Sequence, residues 1–191
     1  MKGIYIFLAD GFEDIEALAT NDVLRRAGLR SSLIGISDEP FVTSSHGVTV
    51  GVDDCLPFLE ADHEGTTEDD ILIFPGGMPG SMNLSRCKPL IELMQAHYDA
   101  GGTVAAICAA PGLVLTQLKG IEGHKATCFD GFDDNLTAAG AHFEPRPAIT
   151  SGRIITGRSA GHAIAFALEI VGKAAPDKLG TVKEHLFLNT L

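Results

Sequence analysis

Residues 103–118 read TVAAICAAPGLVLTQL, and this stretch decides the fold. Residues 103–107 are small and apolar, as in a strand buried on both faces, and the spacing predicts a helix over 109–118. Pro111 falls in the first helical turn, where its missing N–H costs nothing. Cys108 therefore stands on a sharp strand-to-helix turn, the geometry of a nucleophile elbow at the carboxyl edge of a parallel sheet. Backbone N–H groups and the helix dipole would point at the thiol, and a helix N-terminus favours thiolate over thiol. The competing reading is a small buried hydrophobe, the commonest fate of a free cysteine.

The same alternation extends in both directions. Residues 3–9 read as a strand, and Ile15, Leu18, Ala19, Val23 and Leu24 recur at helical spacing until Gly28 stops the run. Residues 31–36 form a second strand, and 41–52 a hairpin around Ser45-His46-Gly47. Residues 70–74 are a buried strand leading into PGGMPGS, and 89–100 a helix closed by Gly101-Gly102. A short strand over 125–129, closing strands over 149–156, an apolar helical stripe over 162–171 and a final helix over 177–188 complete the pattern. With no repeat and no linker long enough to separate domains, the expectation is a single domain over residues 1–191. Its predicted fold is an α/β three-layer sandwich, a mostly parallel sheet with helices on both faces.

A chain of 191 residues can bury one sizeable core, and 45% hydrophobic with 20% charged residues is ordinary for a globular protein. A formal net charge of −11 disfavours nucleic acid and anionic membranes as partners. The opening run MKGIYIFLADGFED meets Asp10 before it reaches spanning length and shows no cleavage site, so neither an export signal nor a membrane span is expected. Cysteines at 55, 87, 108 and 128 lack paired CxxC spacing, which points to a reducing cytoplasm and away from zinc. Neither metal nor redox cofactor is expected, and Cys55, Cys87 and Cys128 are assigned to structure.

Ligands of open α/β sheets bind outside the carboxyl ends of the strands. Three turns meet that description: residues 10–16, residues 75–80, and the elbow itself. Gly76 and Gly77 allow a backbone N–H close to a substrate, and the Ala109 N–H follows the thiol directly, so Gly77 and Ala109 are candidate oxyanion-hole donors. Glu13 and Glu16 share a face at a helix start, where negative charge is favourable for structural reasons alone. Glu16 lies on the sheet-facing side, where an unpaired carboxylate is expensive to bury. A carboxyl group beside a thiol can share one proton with it, and left ionised it would raise the thiol pKa.

These segments resemble the ThiJ/PfpI superfamily, nearest the branch of the Parkinsonism-associated deglycase and its bacterial relatives. The motifs are DGFEDIE at 10–16, NDVLRRAG at 21–28, FPGGMPGSMNL at 74–84, AAICAAP at 105–111 and IITGRSAGHAIAFALEIV at 154–171. The resemblance implies a flavodoxin-like sandwich, a homodimer, a catalytic Cys108 with Glu16 as acidic partner, and the Gly77 and Ala109 amides as an oxyanion-hole-like pair. Three departures carry information. The peptidase branch has a histidine directly after the cysteine, and here Ala109 stands there. In KATCFD, Phe129 occupies the place of a loop histidine found in the deglycase branch. The family's SRGPGT becomes GRSAGH, keeping Arg158 and introducing Ser159, Ala160 and His162. Glu13, Arg158 and His162 are accessory candidates.

The activity this implies is cofactor-independent glyoxalase or deglycase chemistry on methylglyoxal-like dicarbonyls or their glycated adducts. A second reading is a redox sensor or stress-protective chaperone whose Cys108 oxidises to sulfinic acid. A glutamine amidotransferase needs a cysteine, histidine and glutamate triad, and His185 is followed by Leu186 and Phe187 rather than a late HxE. Nothing in these residues specifies a thiazole substrate for thiamine biosynthesis.

Overall fold

Adjacent apolar runs that alternate with amphipathic helices build a seven-stranded sheet, in the order β10-β11-β7-β6-β1-β2-β5. The computed structural model describes residues 1–188. Its strands are β1 (Ile4–Leu8), β2 (Ser31–Gly35), β3 (Phe41–Thr43), β4 (Thr49–Gly51), β5 (Asp54–Cys55), β6 (Ile71–Phe74), β7 (Thr103–Ile107), β8 (Lys125–Ala126), β9 (His142–Phe143), β10 (Ala148–Ser151) and β11 (Ile154–Gly157). Pairing within the main sheet is parallel except for β10 against β11. The β3–β4 hairpin stands apart as an antiparallel pair, and the two-residue strands β8 and β9 form a separate parallel pair. The α-helices are α1 (Asp14–Arg26), α2 (Gly80–Arg86), α3 (Lys88–Asp99), α4 (Ala110–Leu113), α5 (Asp133–Ala138), α6 (Ala163–Ala174) and α7 (Leu179–His185).

Side-chain alternation along the buried strands feeds two cores. Ile4, Ile6 and Leu8 of β1, Ile71 and Ile73 of β6, and Ala105 and Ile107 of β7 pack against α1, α6 and α7. Phe7, Leu72, Phe74, Val104 and Ala106 face the other way, against α2, α3, α4 and α5. The result is a flavodoxin-like α/β sandwich. Chain order reverses direction across the sheet at β1, between β2 on one side and β6 on the other. A crevice at such a switch point is the expected binding place.

Three predicted elements come out shorter. The helix over 109–118 is four residues of α4 followed by a 3₁₀ turn at Leu115–Gln117. Gly112 is a poor helix former, and it presses its backbone onto Phe132, where a Cβ would overlap the Phe132 Cβ and carbonyl. The strand over 125–129 pairs for only two residues, because the Thr127 N–H turns to the Thr156 hydroxyl at 2.9 Å and the Phe129 N–H to the Cys108 carbonyl at 2.8 Å. The final helix over 177–188 is a 3₁₀ turn at Pro176–Lys178 and then α7, which ends before Phe187 enters the left-handed region at φ 56°. Helices α2 and α5 and strands β5 and β9 escaped the sequence reading.

Candidate active site

The carboxyl ends of β1, β6 and β7 are neighbours, so the three turns meet. Strand alternation alone would send Cys108 to the face that takes Val104 and Ala106. Instead Cys108 adopts φ 65°, the left-handed region, and packs with the opposite core, on the side of α1. Its backbone is pinned on both sides: its N–H donates to the Gly157 carbonyl at 3.0 Å, and its carbonyl accepts the Phe129 N–H at 2.8 Å. A strained residue held this way is a turn over-determined by its surroundings.

Glu16 reaches the same point from the first turn of α1. It is 1% exposed, and its Oε2 accepts the Gly76 N–H at 2.8 Å. Its Oε1 has no partner of ordinary hydrogen-bond geometry, and the thiol of Cys108 is the other group whose hydrogen bonding acts on the carboxyl. Gly76 is squeezed between the two, since a Cβ there would overlap both Glu16 Oε2 and the Cys108 Cβ. Glu13 serves as the helix N-cap: its Oε2 accepts the Glu16 N–H at 2.8 Å, while its own N–H donates to the Gly76 carbonyl at 3.0 Å. Gly77 has φ 90°, and a Cβ at this residue would strike the backbone at Glu13 and Gly11.

The electrostatics follow from burial. Desolvation pushes the Glu16 carboxyl up to about 7, the negative charge of Glu13 adds to that, and hydrogen bonds from Cys108 and Gly76 oppose it. Burial pushes the Cys108 thiol up to about 12, helped by the charge and hydrogen bonding of Glu16, while the N–H groups of Gly77 and Ala109 favour the thiolate. The helix N-terminus that favours a thiolate is a single turn here, and the opposing effect expected of an ionised Glu16 outweighs it. The pair accommodates one negative charge, and a second is strongly opposed. The first proton leaves the pair near 7, and the opposed second ionisation belongs to the pair rather than to either residue.

Cys108, Glu16, Gly77 and Ala109 thus converge, with Glu13 supporting Glu16. Arg158 and His162 make their hydrogen bonds to other groups. The Arg158 guanidinium bonds Asp130 at 2.5 Å and lies 5.9 Å from the centre of the Phe143 ring, on the other face of the sheet. His162 Nδ1 is tied to the Ser159 hydroxyl at 2.9 Å, just ahead of α6. Among the described residues no histidine hydrogen-bonds Cys108. The sequence reading missed that Gly76 donates to Glu16 rather than to a ligand, and that Gly157 and Phe129 fix the elbow. The glycine pair was a visible signal for the first; the other two contacts cross the sheet and leave none.

The fold and site define an α/β sandwich class with a left-handed cysteine at a strand-to-helix turn and a buried carboxyl beside it. The DJ-1/PfpI family model matches residues 2–173, and the chain belongs to that family. It is 35% identical to the glutathione-independent glyoxalase DJR-1.2 of Caenorhabditis elegans over 92% of this chain and 90% of that protein. DJ-1 homolog B of Arabidopsis thaliana is 33% identical over 89% of this chain and 37% of its own length, and homolog A 31% identical over 95% and 46%. The chain therefore spans less than half the length of those two plant relatives. Among solved structures, oxidized Toxoplasma gondii DJ-1 superposes with TM-score 0.86 at 28% identity, covering 98% of each chain. Drosophila melanogaster DJ-1beta superposes with TM-score 0.86 at 28% identity, covering 97% of each. No helix among the described residues is long and apolar enough to cross a membrane.

Proposed function

We propose that this chain is a cofactor-independent enzyme that uses Cys108 to convert α-oxoaldehydes such as methylglyoxal to 2-hydroxy acids, or to reverse their early adducts. The observation that carries this reading is the pairing of Cys108 with a buried Glu16 under the Gly77 and Ala109 N–H groups. In the reactive form the charge sits on sulfur and the proton on Glu16. The thiolate adds to the aldehyde carbon, and the new oxyanion lies toward the two N–H donors and takes the Glu16 proton, giving a hemithioacetal. Glu16, now a carboxylate, removes the C1 proton, and the resulting enediol is reprotonated at C2 to give a thioester. Water cleaves the thioester to the hydroxy acid and restores the thiol. The aldehyde carbon is oxidised and the ketone carbon reduced, so no external redox partner is needed. The homology to a glutathione-independent glyoxalase supports the same chemistry.

The test is product formation from methylglyoxal without glutathione. One lactate per methylglyoxal consumed over many turnovers, abolished in Cys108→Ser, is expected; consumption that stops at one equivalent per thiol would sink the catalytic reading.

A second reading, a redox sensor, draws on the oxidized state of the Toxoplasma relative. A Cys108 sulfinate would place its oxygens among the same Gly77 and Ala109 donors, with protonated Glu16 as a further donor. Peroxide consumed once per thiol, without repeated turnover, separates it from the first. A homodimer is part of either proposal. The hairpin loop carrying exposed Val48 is fastened to α1 by Ser44 and His46 on Asp14, next in the chain to exposed Ile15, and these two apolar side chains are the proposed contact face. Sedimentation of wild type against Val48→Glu tests that face.

A further inference from the structure

Two large apolar side chains that no core claims stand in solvent on residues adjoining the elbow. Met78 is 49% exposed and follows Gly77, whose N–H faces the sulfur. Phe129 is 47% exposed, and its own N–H is anchored on the Cys108 carbonyl at 2.8 Å. Both are therefore fixed at their backbones to the residues that build the elbow, while their side chains remain in solvent. Neither charge nor a histidine hydrogen-bonded to the thiol balances them: the guanidinium of Arg158 is engaged with Asp130, and His162 with Ser159.

An exposed apolar pair beside a reactive group has a direct chemical use. Hydrogen-bond donors at Gly77 and Ala109 read only the carbonyl, which all α-oxoaldehydes share. Discrimination among them must come from what touches the other substituent. A methyl group is too small to cover a phenylalanine ring or a methionine side chain, whereas an aryl or branched alkyl group would remove apolar surface of both from water.

We propose that Met78 and Phe129 form an apolar lip over Cys108 that selects α-oxoaldehydes with a bulky hydrophobic substituent over methylglyoxal. The proposal rests on the dicarbonyl reading above and adds the substrate class. Sulfur of Met78 and the ring of Phe129 adapt to an aromatic face, so phenylglyoxal is the simplest probe.

The experiment measures kcat/KM for phenylglyoxal and methylglyoxal in wild type, Met78→Ala, Phe129→Ala and Phe129→Tyr. In parallel, mass spectrometry of the Cys108 peptide follows alkylation by N-phenylmaleimide and N-ethylmaleimide, which requires no turnover. The lip predicts a phenylglyoxal preference in wild type that falls roughly tenfold in Phe129→Ala, falls by a smaller factor in Met78→Ala, and returns in Phe129→Tyr. The phenyl-to-ethyl maleimide ratio at Cys108 should fall in the same order. If neither aldehyde turns over and the maleimide ratio still falls, the dicarbonyl reading fails and the lip stands. If both ratios in the alanine variants equal those of wild type, the lip is overturned, whether or not methylglyoxal is turned over. Both side chains are about half in solvent, so truncation leaves the cores intact.

Discussion

Gly76 lies wedged between Glu16 and Cys108, its N–H on the carboxylate at 2.8 Å and no room for a side chain on either side. This glycine sets how closely the acid approaches the thiol, and through that closeness the acid controls the charge on sulfur. Stability, strain and reactivity each follow from it in measurable ways.

The raised carboxyl makes Glu16 a cost to folding at neutral pH. Folded Glu16 holds its proton to about 7, whereas its ordinary value is 4.5. Between those values the folded state binds more protons than the unfolded one, so stability falls as pH rises, by on the order of 3 kcal/mol in all. Glu16→Gln should remove that slope and be more stable than wild type at pH 8, with little difference at pH 4.5. Denaturant unfolding of both proteins across this range checks it, and parallel curves would contradict it.

Cys108 sits at φ 65°, which disfavours any residue with a Cβ. Glycine accepts that conformation freely. Cys108→Gly should therefore unfold at higher denaturant than Cys108→Ala, with a difference of about 1 kcal/mol. Equal stabilities would mean that the elbow relaxes when the sulfur is removed.

His162 Nδ1 is held by the Ser159 hydroxyl rather than by the thiol. His162→Ala should leave methylglyoxal turnover and its pH profile at wild-type values, within about twofold. A loss of the acidic limb of the profile would instead establish His162 as a general base.

Much of this was legible in the chain itself. The buried runs at 71–74 and 103–107, with glycine or cysteine turns after them, gave a parallel sheet, and the pairing of Cys108 with Glu16 followed from two turns at one sheet edge. The lengths of α4 and of β8 were not legible, because Phe132 against Gly112 and Cys108 against Phe129 are contacts between distant segments that override local preference. The extent of the pKa shifts was also hidden. A helix N-terminus is visible in sequence, but how completely Glu16 is buried, and hence how strongly its charge opposes a thiolate, is a property of packing.

The central claim is that Cys108 and Glu16 titrate as one unit that carries a single negative charge near neutrality. Its most direct test is the rate of Cys108 alkylation against pH in wild type and Glu16→Gln. The pair predicts a wild-type inflection near 7, where the first proton leaves, and its disappearance in Glu16→Gln, whose thiol then titrates alone at a different pH. Superimposable profiles, with both inflections at the ordinary thiol value of about 8.5, would contradict the account.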